Sequence, residues 1–136
     1  MTSPTPPAEK IVPLTTPFTK AILDLSNSCI CEVKSYAAPP QRVIQAMSCL
    51  LIVLGEDPAH VQDWKPIKVL LGKTGKLSLK RRVQEYNPDS LSVANATFAA
   101  DVIRGIDKDE LAKVSQAAEV FRAWSSAVVE DKLATL

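Results

Sequence analysis

The stretch Glu32-Val33-Lys34-Ser35-Tyr36-Ala37-Ala38-Pro39-Pro40 constrains the fold more than any other part of the chain. Helix-compatible residues run up to Tyr36 and then meet two consecutive prolines. These lack a backbone N–H, and they push the residue before them out of helical space. One helix has to stop here and another has to start, with proline tolerated at the new helix's first turn. The chain therefore turns a corner over residues 37–40.

Past the corner, Val43, Met47, Leu50, Leu51 and Leu54 recur at helical spacing, and Ile44 and Ile52 widen the stripe. This helix is predicted to be central and buried on more than one side. Gly55 marks its end, and residues 56–62 read as a polar loop holding the single histidine, His60. Asp63 suits the N-cap of a short helix with Trp64, Ile67, Leu70 and Leu71 inside and Gly72 at its stop. Residues 76–86 are predicted to form a helix burying Leu79, Val83 and Tyr86, stopped by Asn87-Pro88. Residues 90–104 form another, burying Leu91, Phe98 and Val102. Asp107 or Asp109 then opens a long helix with an apolar line through Leu111, Val114, Ala118, Phe121, Trp124 or Ser125, and Val128. That spacing is compatible with a coiled-coil seam. Upstream of the corner, residues 18–35 read as one helix with Ile22, Leu25, Cys29 and Val33 on one side. Residues 1–17, with Pro4, Pro6, Pro7, Pro13 and Pro17, read as a flexible Pro-rich leader.

In 136 residues, 46% hydrophobic content supports one core, and 5% aromatic content favours packed helices, so an all-α domain over residues 18–136 is expected. No apolar run reaches the roughly 18 residues that span a bilayer, and the first residues lack a signal-peptide pattern. A soluble, unsecreted protein with no membrane partner is expected. Cys29, Cys31 and Cys49 with one histidine fall short of a metal-ligand set and read as free buried thiols. Gly72-Lys73-Thr74 is no phosphate loop, because Ile67 stands where the motif needs glycine. Asp107, Asp109 and Glu110 suit the positive end of a helix dipole without any catalytic role. With no Ser/His/Asp or Cys/His set available, neither an enzyme nor a cofactor is expected.

Net charge is +1, yet Lys65, Lys68, Lys73, Lys76, Lys80, Arg81 and Arg82 follow one another with no acid between them. A run of this kind is either a solvated face or a docking surface for an acidic partner. Aromatic residues for base stacking do not interleave it, which argues against nucleic acid. The alternative reading is a helical adaptor or nucleic-acid module using residues 65–82.

The order of these elements resembles the microtubule-binding domain at the tip of the dynein heavy-chain stalk. There the incoming stalk helix ends in a similar Glu-Val-Lys/Arg-Ser-x-x-x-Pro-Pro sequence. Leu50-Leu51-Ile52-Val53-Leu54-Gly55-Glu56 is similar to the second half of the family's first tip helix. Trp64 with Lys65, Ile67, Lys68 and Leu70-Leu71-Gly72 resembles its Trp-anchored helix, and Glu85-Tyr86-Asn87-Pro88-Asp89 its aromatic-Asp turn. Ala112-Lys113-Val114-Ser115-Gln116-Ala117-Ala118 with Trp124 resembles the start of the helix returning into the stalk. The resemblance implies a small helical bundle capping an antiparallel two-helix coiled coil, with stalk stubs at about 18–36 and 125–136. It implies α/β-tubulin as partner, the rest of the heavy chain joined through the stalk, affinity set by the register of the stalk helices, and a cytoskeletal location. The ATPase would belong to the parent motor and not to this domain. The family's tubulin contacts match Arg42, Lys73, Lys76 and Lys113, with Arg122 further up the last helix. Ile44 stands where many members carry lysine, and the customary Asn-Pro-x-Phe is missing between Ala99 and Leu111. The loop 56–62 is longer than cytoplasmic members usually have, which points to an axonemal, ciliary heavy chain.

Overall fold

The computed structural model describes residues 16–135, and the first fifteen residues of the leader lie outside them. The fold is all-α: eight helices and three single 3-10 turns, with no strand among the described residues. The helices are α1 (Thr16–Leu23), α2 (Asn27–Ser35), α3 (Gln41–Val53), α4 (Trp64–Leu71), α5 (Leu79–Gln84), α6 (Val93–Arg104), α7 (Lys108–Val114) and α8 (Gln116–Ala134). Helices α3, α6 and α8 pack pairwise and form the centre of the bundle; α1, α2 and α7 lie on α8, α4 lies on α3, and α5 lies on α1.

Helix α3 is the most enclosed element, as its doubled apolar stripe predicts. Val43, Ala46, Met47, Cys49, Leu50, Leu51, Ile52 and Val53 are all buried, each of the larger ones stabilising the fold by roughly 1.5–3 kcal/mol relative to exposure. Its end follows from Gly55, whose φ of +114° only glycine adopts without strain. The Gly55 N–H bonds Ile52 and the Glu56 N–H bonds Leu51, so two carbonyls orphaned by the helix end are satisfied together.

The first and last predicted helices each turn out to be two. Residues 18–35 are interrupted between Leu23 and Asn27, and the long final helix is interrupted at Ser115, whose φ of −155° is extended. Neither break contains Gly or Pro; each is capped by a serine side chain. Helix α1 also begins earlier than expected, with Pro17 in its first turn. The helix predicted over 76–86 is shorter, a 3-10 turn at Gly75–Leu77 followed by α5 with Ser78 as its cap.

The inward face of α6 differs from the predicted one. Phe98 is 42% exposed, and Ala96, Ala99, Ala100 and Ile103 face the core instead. Both sets have helical spacing; the alanine set faces inward where α6 lies against both α3 and α8, small side chains there letting the three helices approach closely. Across this seam the Cys49 thiol donates to the Ala99 carbonyl, 3.8 Å away. Cys49 is the one buried cysteine; Cys29 is half-buried and Cys31 exposed, so the expectation of three buried thiols is corrected, although all three are free.

Both tryptophans are buried and both indoles are hydrogen-bonded. Trp64 Nε1 donates to the Tyr36 carbonyl at 2.7 Å, and Trp124 Nε1 donates to Thr19 Oγ1 at 3.0 Å. Trp124 also meets the Tyr86 ring edge-on, with centroids 5.2 Å apart. With the Tyr36 hydroxyl on the Val114 carbonyl, these contacts run α1 and α2 antiparallel to the chain from Val114 to Trp124. The expected pairing of the incoming helix with the part of α8 beyond Trp124 is shifted accordingly. There α8 and α1 instead line a cleft of about 780 Å³ with Leu23, Tyr86, Val128 and Lys132 in its walls.

Replacing Trp124 by Ala is expected to cost roughly 3–5 kcal/mol in urea or thermal unfolding, from cavity formation and loss of the Thr19 bond. Burial pushes the Cys49 thiol up to about 12, so at pH 8 it carries almost no thiolate. Iodoacetamide at that pH is therefore expected to label exposed Cys31 in the folded protein and to reach Cys49 only after denaturation, as read by mass spectrometry of the peptides.

Candidate functional site

The basic run divides in two once its partners are seen. Two of its seven cations, Lys80 and Arg82, are tied into the fold, and a third, Arg81, is paired on the surface of its own helix. Lys80 donates to the Leu25 carbonyl, Arg81 pairs with Glu85 at 2.6 Å, and Arg82 reaches both the Leu54 carbonyl at 3.0 Å and Glu56 at 3.2 Å. The other four, Lys65, Lys68, Lys73 and Lys76, form no ion pair among the described residues. Lys65, Lys73 and Lys76 are exposed and Lys68 is half-buried. Lys65, Lys68 and Lys73 follow the solvent side of α4 and its end, because Trp64, Ile67 and Leu71 take the inner side. Lys76 lies in the 3-10 turn that follows, beside exposed Leu77.

The proline corner connects this segment to the other candidate residues. Tyr36 accepts the Trp64 indole on its carbonyl, which fixes the start of α4, and gives its hydroxyl to Val114 at 3.2 Å, which fixes the end of α7 next to Lys113. Arg42, two residues past Pro40, is half-buried and shares a shallow cleft of about 270 Å³ with Gln45, Ile106 and Asp107, at the α6–α7 turn. Arg42 and Lys113 thus stand at opposite ends of α7. At the far end of α4, the Lys34 ammonium lies near Gly72, 3.9 Å from where a Cβ would sit. Lys34 adds a cation to this end of the bundle; its place two residues before Tyr36 was the signal for it, since the corner folds that segment back toward α4.

The five predicted site residues differ in availability. Arg42, Lys73 and Lys76 carry no ion pair among the described residues. Lys113 pairs with Glu110 at 2.9 Å, but its side chain is 73% exposed, so the pair is screened and weak. Arg122 is different. It forms a two-pronged bond to Glu119, at 2.6 and 2.9 Å, with the two side chains only 13% and 17% exposed. The Glu119 hydrogen bond raises the Arg122 guanidinium above its ordinary value against the opposing effect of desolvation. Arg122 is held by its own helix and is the least able of the five to meet a partner.

Among the described residues no group of three or more His, Cys, Asp or Glu side chains could hold a metal ion, and no helix is long and apolar enough to cross a membrane. His60 is exposed at the end of the Pro58–His60 turn. The surface offers fixed positive charge with two exposed apolar side chains, Val69 and Leu77, among its lysines, an arrangement suited to binding an acidic surface.

The difference in availability has a measurable consequence. Arg122→Met is expected to lower stability by roughly 1–3 kcal/mol, because it leaves Glu119 without its partner in a largely enclosed position. Lys113→Met is expected to stay within about 0.5 kcal/mol of the parent in the same denaturant titration. No protein-family model matches the chain, and no curated protein matches it, so what this surface engages has to be read from its own charges and geometry.

Proposed function

We propose that the chain is the microtubule-binding tip of a dynein heavy-chain stalk, binding acidic α/β-tubulin through Arg42, Lys73, Lys76 and Lys113. The observation that carries this reading is the placement of the first and last described helices. The first and last described helices, α1 and α8, lie side by side, joined by the Thr19–Trp124 bond, while the proline corner meets the other end of α8 through the Tyr36–Val114 bond and is flanked by Arg42, Lys113 and the start of the lysine-bearing α4. A stalk tip requires both features: two antiparallel strands to the motor and a charged surface facing away from it. In this reading the α1–α2 and α8 segments are the ends of the coiled-coil stalk, the domain itself hydrolyses nothing, and its location is the cytoskeleton, with an axonemal heavy chain as the source. Arg122 is assigned to bracing the first turns of α8 and not to contact.

Co-sedimentation with microtubules tests the proposal. Each exposed charge pair contributes about 0.2–1 kcal/mol, so reversing one of Lys73 or Lys76 to Glu is expected to weaken binding a few-fold. Reversing both is expected to exceed tenfold, about 1.4 kcal/mol. Binding should also weaken steeply with salt, since these charges are screened over about 10 Å at 0.1 M. Lys20→Glu with Lys132→Glu, at the opposite end beside the α1–α8 cleft, is the control and is expected to change binding little. Equal losses in the two double variants would reduce the interaction to a general attraction of charge. Binding to DNA or RNA in preference to microtubules would select the nucleic-acid reading of residues 65–82.

A further inference from the structure

The two helix breaks without Gly or Pro are built alike. At Ser26 and at Ser115 the hydroxyl accepts the N–H three residues further on, from Cys29 at 3.2 Å and from Ala118 at 3.0 Å. In an unbroken helix those N–H groups would bond the carbonyls of Leu25 and Val114. The breaks free these carbonyls, and in each case a side chain distant in sequence takes the carbonyl over. Lys80 donates to Leu25, and the Tyr36 hydroxyl donates to Val114.

The two breaks differ in surroundings. Ser115 is 3% exposed and sits between buried Leu111 and Ala118, so its geometry is fixed by the core on every side. Ser26, Asn27 and Ser28 are exposed, and in α1 only Ile22 is buried. In the broken form the N–H groups of Ser26, Asn27 and Ser28 have no backbone partner, whereas winding residues 24–28 into helix would give each of them one. Residues 16–35 would then form a single helix of about 30 Å at 1.5 Å per residue. What opposes this is the Ser26 cap, the packing of Ile22, and a cation on the carbonyl end of α1, where positive charge is favourable.

We propose that the α1–α2 break is a switchable joint latched by Lys80, and that releasing the Leu25 carbonyl lets residues 16–35 become one continuous helix. Lys80 is placed to transmit such a release. It lies in α5, immediately after the turn that carries Lys76, so a displacement of that turn draws the latch away from Leu25. The Ser115 break, with the same hydrogen-bond pattern inside the core, stays fixed. The joint does not rest on the tubulin reading, and its test uses the free protein.

Amide hydrogen exchange by NMR, with Cα chemical shifts of residues 24–28, distinguishes the two forms. The parent and Lys80→Arg, which keeps a donor, are expected to exchange Ser26, Asn27 and Ser28 rapidly and to show non-helical shifts at Leu25 and Ser26. Lys80→Met combined with Ser26→Ala removes latch and cap together. It is expected to slow exchange at those three amides at least tenfold and to move the shifts to helical values. A variant that had merely loosened α1 would exchange faster, not slower. Unchanged or faster exchange at Ser26, Asn27 and Ser28 in the double variant overturns the joint, as does equal slowing in Lys80→Arg.

Discussion

A helix stopped by two prolines leaves carbonyls that nothing in its own segment can satisfy, and this bundle is organised around how those at the corner are used. Tyr36 accepts the Trp64 indole on its backbone and lends its hydroxyl to Val114, where a second helix has been interrupted. Each group is partly buried, so an unmet donor or acceptor at either site would carry a desolvation cost of about 1–3 kcal/mol. The end of α2, the start of α4 and the junction of α7 with α8 are therefore one mechanical unit. The candidate cations are mounted on its edges: Lys34 before the corner, Arg42 after it, Lys113 beside Val114, and the α4 lysines past Trp64.

What could be read from the sequence was whatever the chain decides locally. The proline corner, the enclosed α3, the Trp64 helix and the stops at Gly55, Gly72 and Gly105 all depend on residues within a few positions of where they act, and each is found as expected. The breaks at Ser26 and Ser115 could not be read in the same way. Ser, Asn and Asp are tolerated inside helices as well as at caps, and the groups that settle the choice stand 55 and 78 residues away. The face of α6 was ambiguous for a related reason, since Phe98 and the alanine set are equally periodic and only the two neighbouring helices discriminate.

The candidate surface was legible as charge but not as available charge. Seven cations over residues 65–82 look equivalent on paper, yet two are consumed in closing the fold, Arg82 on the end of α3 and Lys80 on the end of α1, and Arg81 is paired on the surface of its own helix. Arg122 shows the same point from the other side, its charge answered by Glu119 before any partner arrives. Long-range attraction depends on total charge, whereas docking depends on charges whose hydrogen bonds are still uncommitted. By that measure the uncommitted charge of the basic run lies on the α4 helix and the turn after it, not on the whole run.

The alanine seam of α6 sets a dimension. Ala96, Ala99 and Ala100 have no rotatable side-chain bonds, so of the four buried residues that α6 brings to its contacts with α3 and α8 only Ile103 can change rotamer to alter the spacing. A seam of this kind acts as a short, stiff spacer between its neighbours. Relative movement of α8 and α3 therefore meets, along α6, a seam whose own side chains offer almost no slack.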